Sequence, residues 1–223
     1  MTALTVAWNP LAAQDAEIPA NLGFLRLVNA VGMSGRLKVK INGMEADPSG
    51  FEEGHATSSV GLLPKTYQVD LEHESLGKET IQVAVQTGQI ATVMAYKTEK
   101  PPKDAKPGGT AKGEAPKKEP RLASLLYESP VSAADVKVPS LTVFQLTATN
   151  KIDFKVSGAS LAALAERPAQ LAVTKAIGNF PEIQLNGKAA CLLNFDIPAD
   201  QVVVFFTGSD GNLKSAQLRN DVR

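Results

Sequence analysis

The sequence predicts an all-β protein of two immunoglobulin-like β-sandwich domains joined by a Pro/Lys-rich linker. Three observations lead there. Short segments rich in Val, Leu and Ile alternate apolar and polar residues with a period of two, which is the pattern of a strand with one buried face. Turn signals built on Gly and Asn interrupt these segments at short intervals, as in RLKVKING and EIQLNGK. Midway along the chain, Thr98 to Pro120 reads TEKPPKDAKPGGTAKGEAPKKEP and contains no aromatic residue, Leu, Ile or Val. Such a stretch buries too little surface to offset its ordering entropy, and its prolines oppose both helix and ladder.

These signals divide the chain into an N-terminal tail over residues 1–20, a first domain over 21–98, a linker over 99–120 and a second domain over 121–223. The tail begins MTALTVAWNPLAA, without a basic n-region; it reads either as the stub of a signal peptide cut near Ala13 or as a plain tail. Trp8, the one tryptophan, lies in it and reads either as an anchor onto a domain or a partner or as a leftover of the signal region. Cleavage within the linker is expected to yield two resistant fragments.

In the first half, GFLRLVN (Gly23 to Asn29) puts Phe24 and Arg26 on one face and Leu25 and Leu27 on the other. RLKVKIN alternates strictly, with Leu37, Val39 and Ile41 inward and Arg36, Lys38 and Lys40 toward water, and Asn42–Gly43 then gives a hairpin turn. KTYQVDL, ETIQVAVQ and QIATVMAYK complete the set. Short strands at this spacing imply two packed antiparallel sheets.

The second half repeats the theme. LTVFQLTA and KIDFKVS are strands around Thr149–Asn150, followed by strands over 169–175, 182–185 and 189–195, with Asn186–Gly187 as a hairpin turn. QVVVFFT is the most apolar and is expected to be central, and a last strand runs from Leu213 to Leu218. ASLAALAE (Ala159 to Glu166) is expected to be helical and to stop before Pro168. Phe24 to Asn42 and Val143 to Gly158 share an order of strand, Asn-containing turn and Lys-alternating strand, which hints at a tandem duplication.

Apolar residues make up 43% of the 223 residues and aromatics only 5%, so the core is built mainly of aliphatic side chains. Lys+Arg and Asp+Glu both number 23, and that balance provides no global field to attract nucleic acid. No apolar run reaches the ~20 residues that span a bilayer as a helix, so no transmembrane segment is expected.

The run FLRLVNA at Phe24 to Ala30, LKVKINGM at Leu37 to Met44, GHATSSVGLLP at Gly54 to Pro64, Tyr67–Gln68–Val69 and the strand Ile90 to Tyr96 together resemble the bacterial domain of unknown function 4397. In outline, two such β-domains and a linker are also similar to the AlgF-type accessory proteins of alginate O-acetylation. The likeness covers about 75 residues of the first half and is faint in the second, mainly over Val202 to Asn220; Leu63–Pro64–Lys65–Thr66–Tyr67 lacks the usual Gly before the Tyr. It implies an exported β-sandwich protein of the cell envelope or of exopolysaccharide biology, and it carries over no catalytic residue.

Residues able to do chemistry are few. His55 and His73 are the only imidazoles, and no Gly-x-Ser-x-Gly elbow is present. Alternation sends Glu72 and Glu74 to the face opposite His73, against a shared metal. Cys191 lies in AACLL and reads as a small buried hydrophobe; with one Cys and two His, zinc is not expected. Asp196, Asp200 and the turn Ser209–Asp210–Gly211–Asn212 offer oxygens without calcium-loop spacing. The linker lysines 100, 103, 106, 112, 117 and 118 are diluted by acidic residues and read as solvated. No catalytic, cofactor-binding or metal residue is assigned, and no cofactor.

The expected function is therefore that of a noncatalytic, periplasmic or secreted interaction protein. Two sandwiches on a flexible tether would contact an envelope protein or polysaccharide through the loops at Met44 to Gly54 and Ser129 to Ala134. The alternatives are an accessory subunit of exopolysaccharide O-acetylation and a hydrolase with a Ser-His site at His55.

Overall fold

The computed structural model describes residues 21–99, 119–133, 136–174, 177–178, 180–195 and 199–221. The N-terminal tail with Trp8, most of the expected linker with its lysines, Ala134 and Asp196 lie outside the described residues.

The described chain is all strand and turn. The first half contributes β1 (Gly23–Ala30), β2 (Leu37–Ile41), β3 (Met44–Glu45), β4 (Val60–Leu62), β5 (Lys65–His73), β6 (Gly77–Val85), β7 (Gln89–Thr98) and β8 (Arg121–Pro130). The second contributes β9 (Ser140–Gln145), β10 (Lys151–Val156), β11 (Ala159–Leu164), β12 (Ala169–Ala172), β13 (Glu182–Leu185), β14 (Lys188–Leu192), β15 (Gln201–Thr207) and β16 (Leu213–Arg219). They form four four-stranded sheets, two to each sandwich.

The two sandwiches are built alike. Sheet orders β4-β1-β7-β8 and β3-β2-β5-β6 in the first half recur as β12-β9-β15-β16 and β11-β10-β13-β14 in the second, each strand advanced by eight. The correspondence extends to direction. The sheets are not purely antiparallel as expected: β1 runs parallel to β7, and β9 runs parallel to β15. The β2–β3 turn at Asn42–Gly43 (φ 49° and 83°) has its counterpart at Ser157–Gly158 (φ 45° and 89°) between β10 and β11. Paired positive φ values are those of a type I′ hairpin turn, which matches the twist of the flanking strands. The two halves therefore share one topology, strand for strand.

Instead of hanging on a tether, the sandwiches stack face to face. Leu25, Leu27 and Val93 of the first inner sheet face Val39, Val69 and Val83 of the first outer sheet. The opposite face of that inner sheet, with Val28, Ala30 and Met94, packs on Phe144, Val202, Val204 and Phe206 of the second inner sheet. The reverse of the second inner sheet, with Val143, Val203 and Phe205, packs on Phe154, Val156 and Ile183. The result is four layers with three apolar seams.

That stacking accounts for two kinds of strand. Every residue of β1 is buried, as are six of the seven in β15, because an inner sheet has no solvent face. In β2 and β10 burial alternates, because an outer sheet has one. QVVVFFT is central, as its composition implied.

Two further expectations are corrected. Residues 159–166 form no helix: Ala159–Leu164 is β11, paired along its whole length with β10, with Leu161 and Ala163 inward. Alanine and leucine are among the best helix formers, but intrinsic propensity differs by under about 1 kcal/mol per residue, and pairing along the whole of β10 with Leu161 and Ala163 buried overrides it. The second correction concerns the division at residue 121. Arg121–Pro130 belongs to the first sandwich, its ten residues registered against β7 from Thr98↔Arg121 to Gln89↔Pro130. The stretch read as an interdomain linker therefore leaves and rejoins one strand pair, and the crossing between halves follows Pro130.

Cutting the chain at a protease site introduced between residues 99 and 120 should accordingly give two bands on a denaturing gel but a single species of unchanged size on native size exclusion. Two separately eluting folded fragments would contradict the pairing of β8 with β7.

Candidate functional site

The junction of the two halves holds a connected set of buried polar groups, Arg26, Thr92, Ser129 and Asn220. Arg26 projects from β1 on the face turned toward the second half and is 2% exposed. Its Nε donates to Thr92 Oγ1 (2.8 Å), Nη1 to the Arg219 carbonyl (2.6 Å) and Nη2 to Asn220 Oδ1 (2.7 Å). Asn220 Nδ2 donates on to Ser129 Oγ (3.1 Å). One guanidinium thus ties β1 and β7 of the first half to the end of β16 in the second. All three acceptors are neutral. Burial lowers the Arg26 pKa to about 10, so the side chain is still a cation near neutral pH.

Beside Arg26 a cleft of about 290 Å³ opens between the halves. Thr57, Ser58 and Ser59, in the segment leading to β4, form one wall, and Gln217, Arg219 and Asp221 form the other. Arg219 Nη2 lies 2.7 Å from Asp221 Oδ2. Hydroxyls, an amide, a guanidinium and a carboxylate meet here, so the cleft both donates and accepts hydrogen bonds.

A second junction contact fixes the other side. Glu53 accepts from the Ser209 backbone N–H (2.7 Å) and from Ser209 Oγ (2.7 Å), and Lys214 Nζ lies 3.2 Å from it. Burial opposes the Glu53 charge, but these donors outweigh it and hold its pKa below the ordinary carboxylate value. Gly32 sits at the same interface with φ +63°; a Cβ there would lie 1.9 Å from the Thr207 carbonyl oxygen, so the two backbones meet because position 32 has no side chain.

The loops expected to reach a partner are therefore partly spent inside the molecule. Glu53 and Gly54 lie against the second half, and Ser129 is buried beneath Asn220. The turn Ser209–Asp210–Gly211–Asn212 serves as the receptor for Glu53, with Asp210 Oδ1 accepting from the Asn212 N–H (3.1 Å). Asp200 Oδ1 accepts from Ser140 N (2.6 Å) and Ser140 Oγ (2.8 Å), pinning the start of β9.

The other residues singled out are scattered. His55 is exposed, its ring 5.4 Å from that of Phe51. His73 is 1% exposed and accepts from Ser75 N at Nδ1 (3.3 Å); its Nε2 has no hydrogen-bond partner, and burial lowers its pKa. Glu72 points away from it to Lys78 (3.2 Å), as alternation implied, but Glu74 does not: its carboxylate and His73 Nε2 both lie beside Gly35, because Glu74 follows the end of β5, where strand alternation no longer applies. Cys191 is buried against the second core, accepts from Gln217 Nε2 (2.9 Å), and has its pKa raised by burial. Among the described residues no three His, Cys, Asp or Glu side chains come together in a way that could hold a metal ion. No helix among them is long and apolar enough to cross a membrane.

Arg26, Glu53 and Asn220 were not singled out from the sequence. The one available signal was a charged residue amid the apolar run FLRLVNA, where a strand buried on both faces must find partners for it.

No model of a known protein family matches the chain, and a search of curated proteins finds no match either.

Proposed function

We propose that this protein is a noncatalytic interaction protein, periplasmic or secreted, that binds a glycan in the cleft between its two sandwiches. The observation that carries this reading is the cleft beside Arg26. Its walls come from opposite halves and are held by the Arg26 and Glu53 contacts, so its hydroxyl, amide and guanidinium groups are fixed before any ligand arrives. A polar lining that donates and accepts suits a hydroxyl-rich ligand.

The test is a titration of the isotopically labelled protein with neutral and uronate oligosaccharides, read by amide chemical shifts. Shifts concentrated at Ser58, Ser59 and Gln217, and lost in Ser58→Trp, are expected. Absence of binding by both sugar classes, or binding unaltered in Ser58→Trp, would remove the glycan reading and leave a partner protein as the ligand.

A second reading is an accessory subunit of exopolysaccharide O-acetylation. It is favoured by the likeness of FLRLVNA and LKVKINGM to domain 4397 and by the AlgF-type outline of two β-domains. It predicts co-purification with a membrane O-acyltransferase. The hydrolase reading through His55 has the least support, because what lies against that ring is Phe51.

A further inference from the structure

The lining of the cleft between the halves includes the guanidinium groups of Arg26 and Arg219 and the carboxylate of Asp221. The carboxylate is already engaged. Its Oδ1 accepts from Arg219 Nε (3.1 Å) and its Oδ2 from Arg219 Nη2 (2.7 Å), a two-pronged pairing in which the two charges offset one another. What is left over is the positive charge of Arg26.

None of the described carboxylates pairs with Arg26, which is 2% exposed. Its acceptors are the Thr92 hydroxyl, the Arg219 carbonyl and the Asn220 amide oxygen, and none of them carries a net charge. Each Nη also has a second N–H for which there is no acceptor among the described residues. A buried cation without a counter-ion is costly, and an apolar side chain of similar volume would fill the seam as well. What only a cation supplies is positive charge in a poorly screened wall, where its field reaches into the cleft. A carboxylate matches the planar fork of a guanidinium better than any neutral group does. Around it the hydroxyls of Thr57, Ser58 and Ser59 and the amide of Gln217 are placed to hydrogen-bond the rest of a ligand.

Resting on the glycan reading above, we propose that the cleft selects acidic glycans, with a carboxylate on the sugar supplying the counter-ion that Arg26 lacks among the described residues. Arg26 is then a specificity-determining residue as well as a tie between the halves. A neutral sugar of the same shape leaves the buried cation unbalanced and binds more weakly.

Trigalacturonate and its methyl ester are the probes, because esterification removes the charge and keeps the rings. Affinity is read from amide shifts at Ser58, Ser59 and Gln217 at constant ionic strength. The acid should bind at least about tenfold more tightly than the ester. Ser58→Asp puts a carboxylate at an exposed position of the cleft wall and removes none of the hydrogen bonds of Arg26. It should erase the preference, whereas the neutral Ser58→Asn should keep it; the amide spectrum of each unliganded variant checks the fold. Equal binding of acid and ester would overturn acid selection and leave the glycan reading standing, while binding of neither would overturn both. A preference unchanged in Ser58→Asp would put the carboxylate outside this cleft and equally overturn the proposal.

Discussion

Replacing Phe206 with alanine should lower the unfolding free energy by about 3–5 kcal/mol, as for other fully buried aromatic truncations. Phe206 is 0% exposed and lies in the seam between the two inner sheets, among Val28, Met94, Phe144 and Val204. It also reaches the Gly54 loop, where a Cβ would stand 3.6 Å from its ring. Sheets packed face to face interlock their side chains, so the hole cannot be closed by moving one residue. A domain's whole stability is typically ~5–15 kcal/mol, so this single change would remove a large part of it. Urea unfolding measures the effect. A loss under about 1 kcal/mol, the size common for surface changes, would mean that the halves are not packed through this seam.

Arg26→Ala should be nearly as costly, about 3 kcal/mol, for a different reason. The substitution removes the guanidinium from the Arg219 carbonyl and from the buried Asn220 Oδ1, and loss of the donor to a buried acceptor such as Asn220 Oδ1 costs about 1–3 kcal/mol. Against this stands the relief of no longer burying a cation that has only neutral acceptors. Arg26→Met, which keeps much of the volume, should therefore lose less than Arg26→Ala. Arg26→Lys should not rescue, because one ammonium cannot reach acceptors arranged for a planar fork.

The alkaline limb gives an independent check of sign. The folded pKa of about 10 lies below that of a free guanidinium, so the folded cation is penalised at lower pH. That penalty is relieved as pH rises through about 10, and the wild-type protein should gain on Arg26→Met over that window. Equal stability of the wild-type protein and Arg26→Ala at neutral pH would show that the guanidinium does not hold the halves together.

Both predictions concern the junction, and the junction is where sequence and tertiary structure part company. The individual strands were legible. RLKVKIN alternates because β2 has one wet face, and QVVVFFT does not because β15 has none. Asn42–Gly43 and Asn186–Gly187 turn where expected, with the positive φ values that Asn and Gly tolerate best. Each of these depends on a residue and its near neighbours, which a linear string preserves.

What the string does not preserve is which distant strand completes a sheet. ASLAALAE has a local preference for helix, and pairing with β10 overrode it. The Pro/Lys-rich stretch looked like a tether because its composition is that of a spacer. Only the register of Thr98 with Arg121 shows that it closes a strand pair. Arg26 gave no hint of its acceptors, since Arg219 and Asn220 lie at the far end of the sequence. Apart from β11, the strands and turns named above were set by local pattern. The four-layer stack and the cleft between the halves were set by contacts between residues far apart in sequence, whose free energy exists only once the sheets have met.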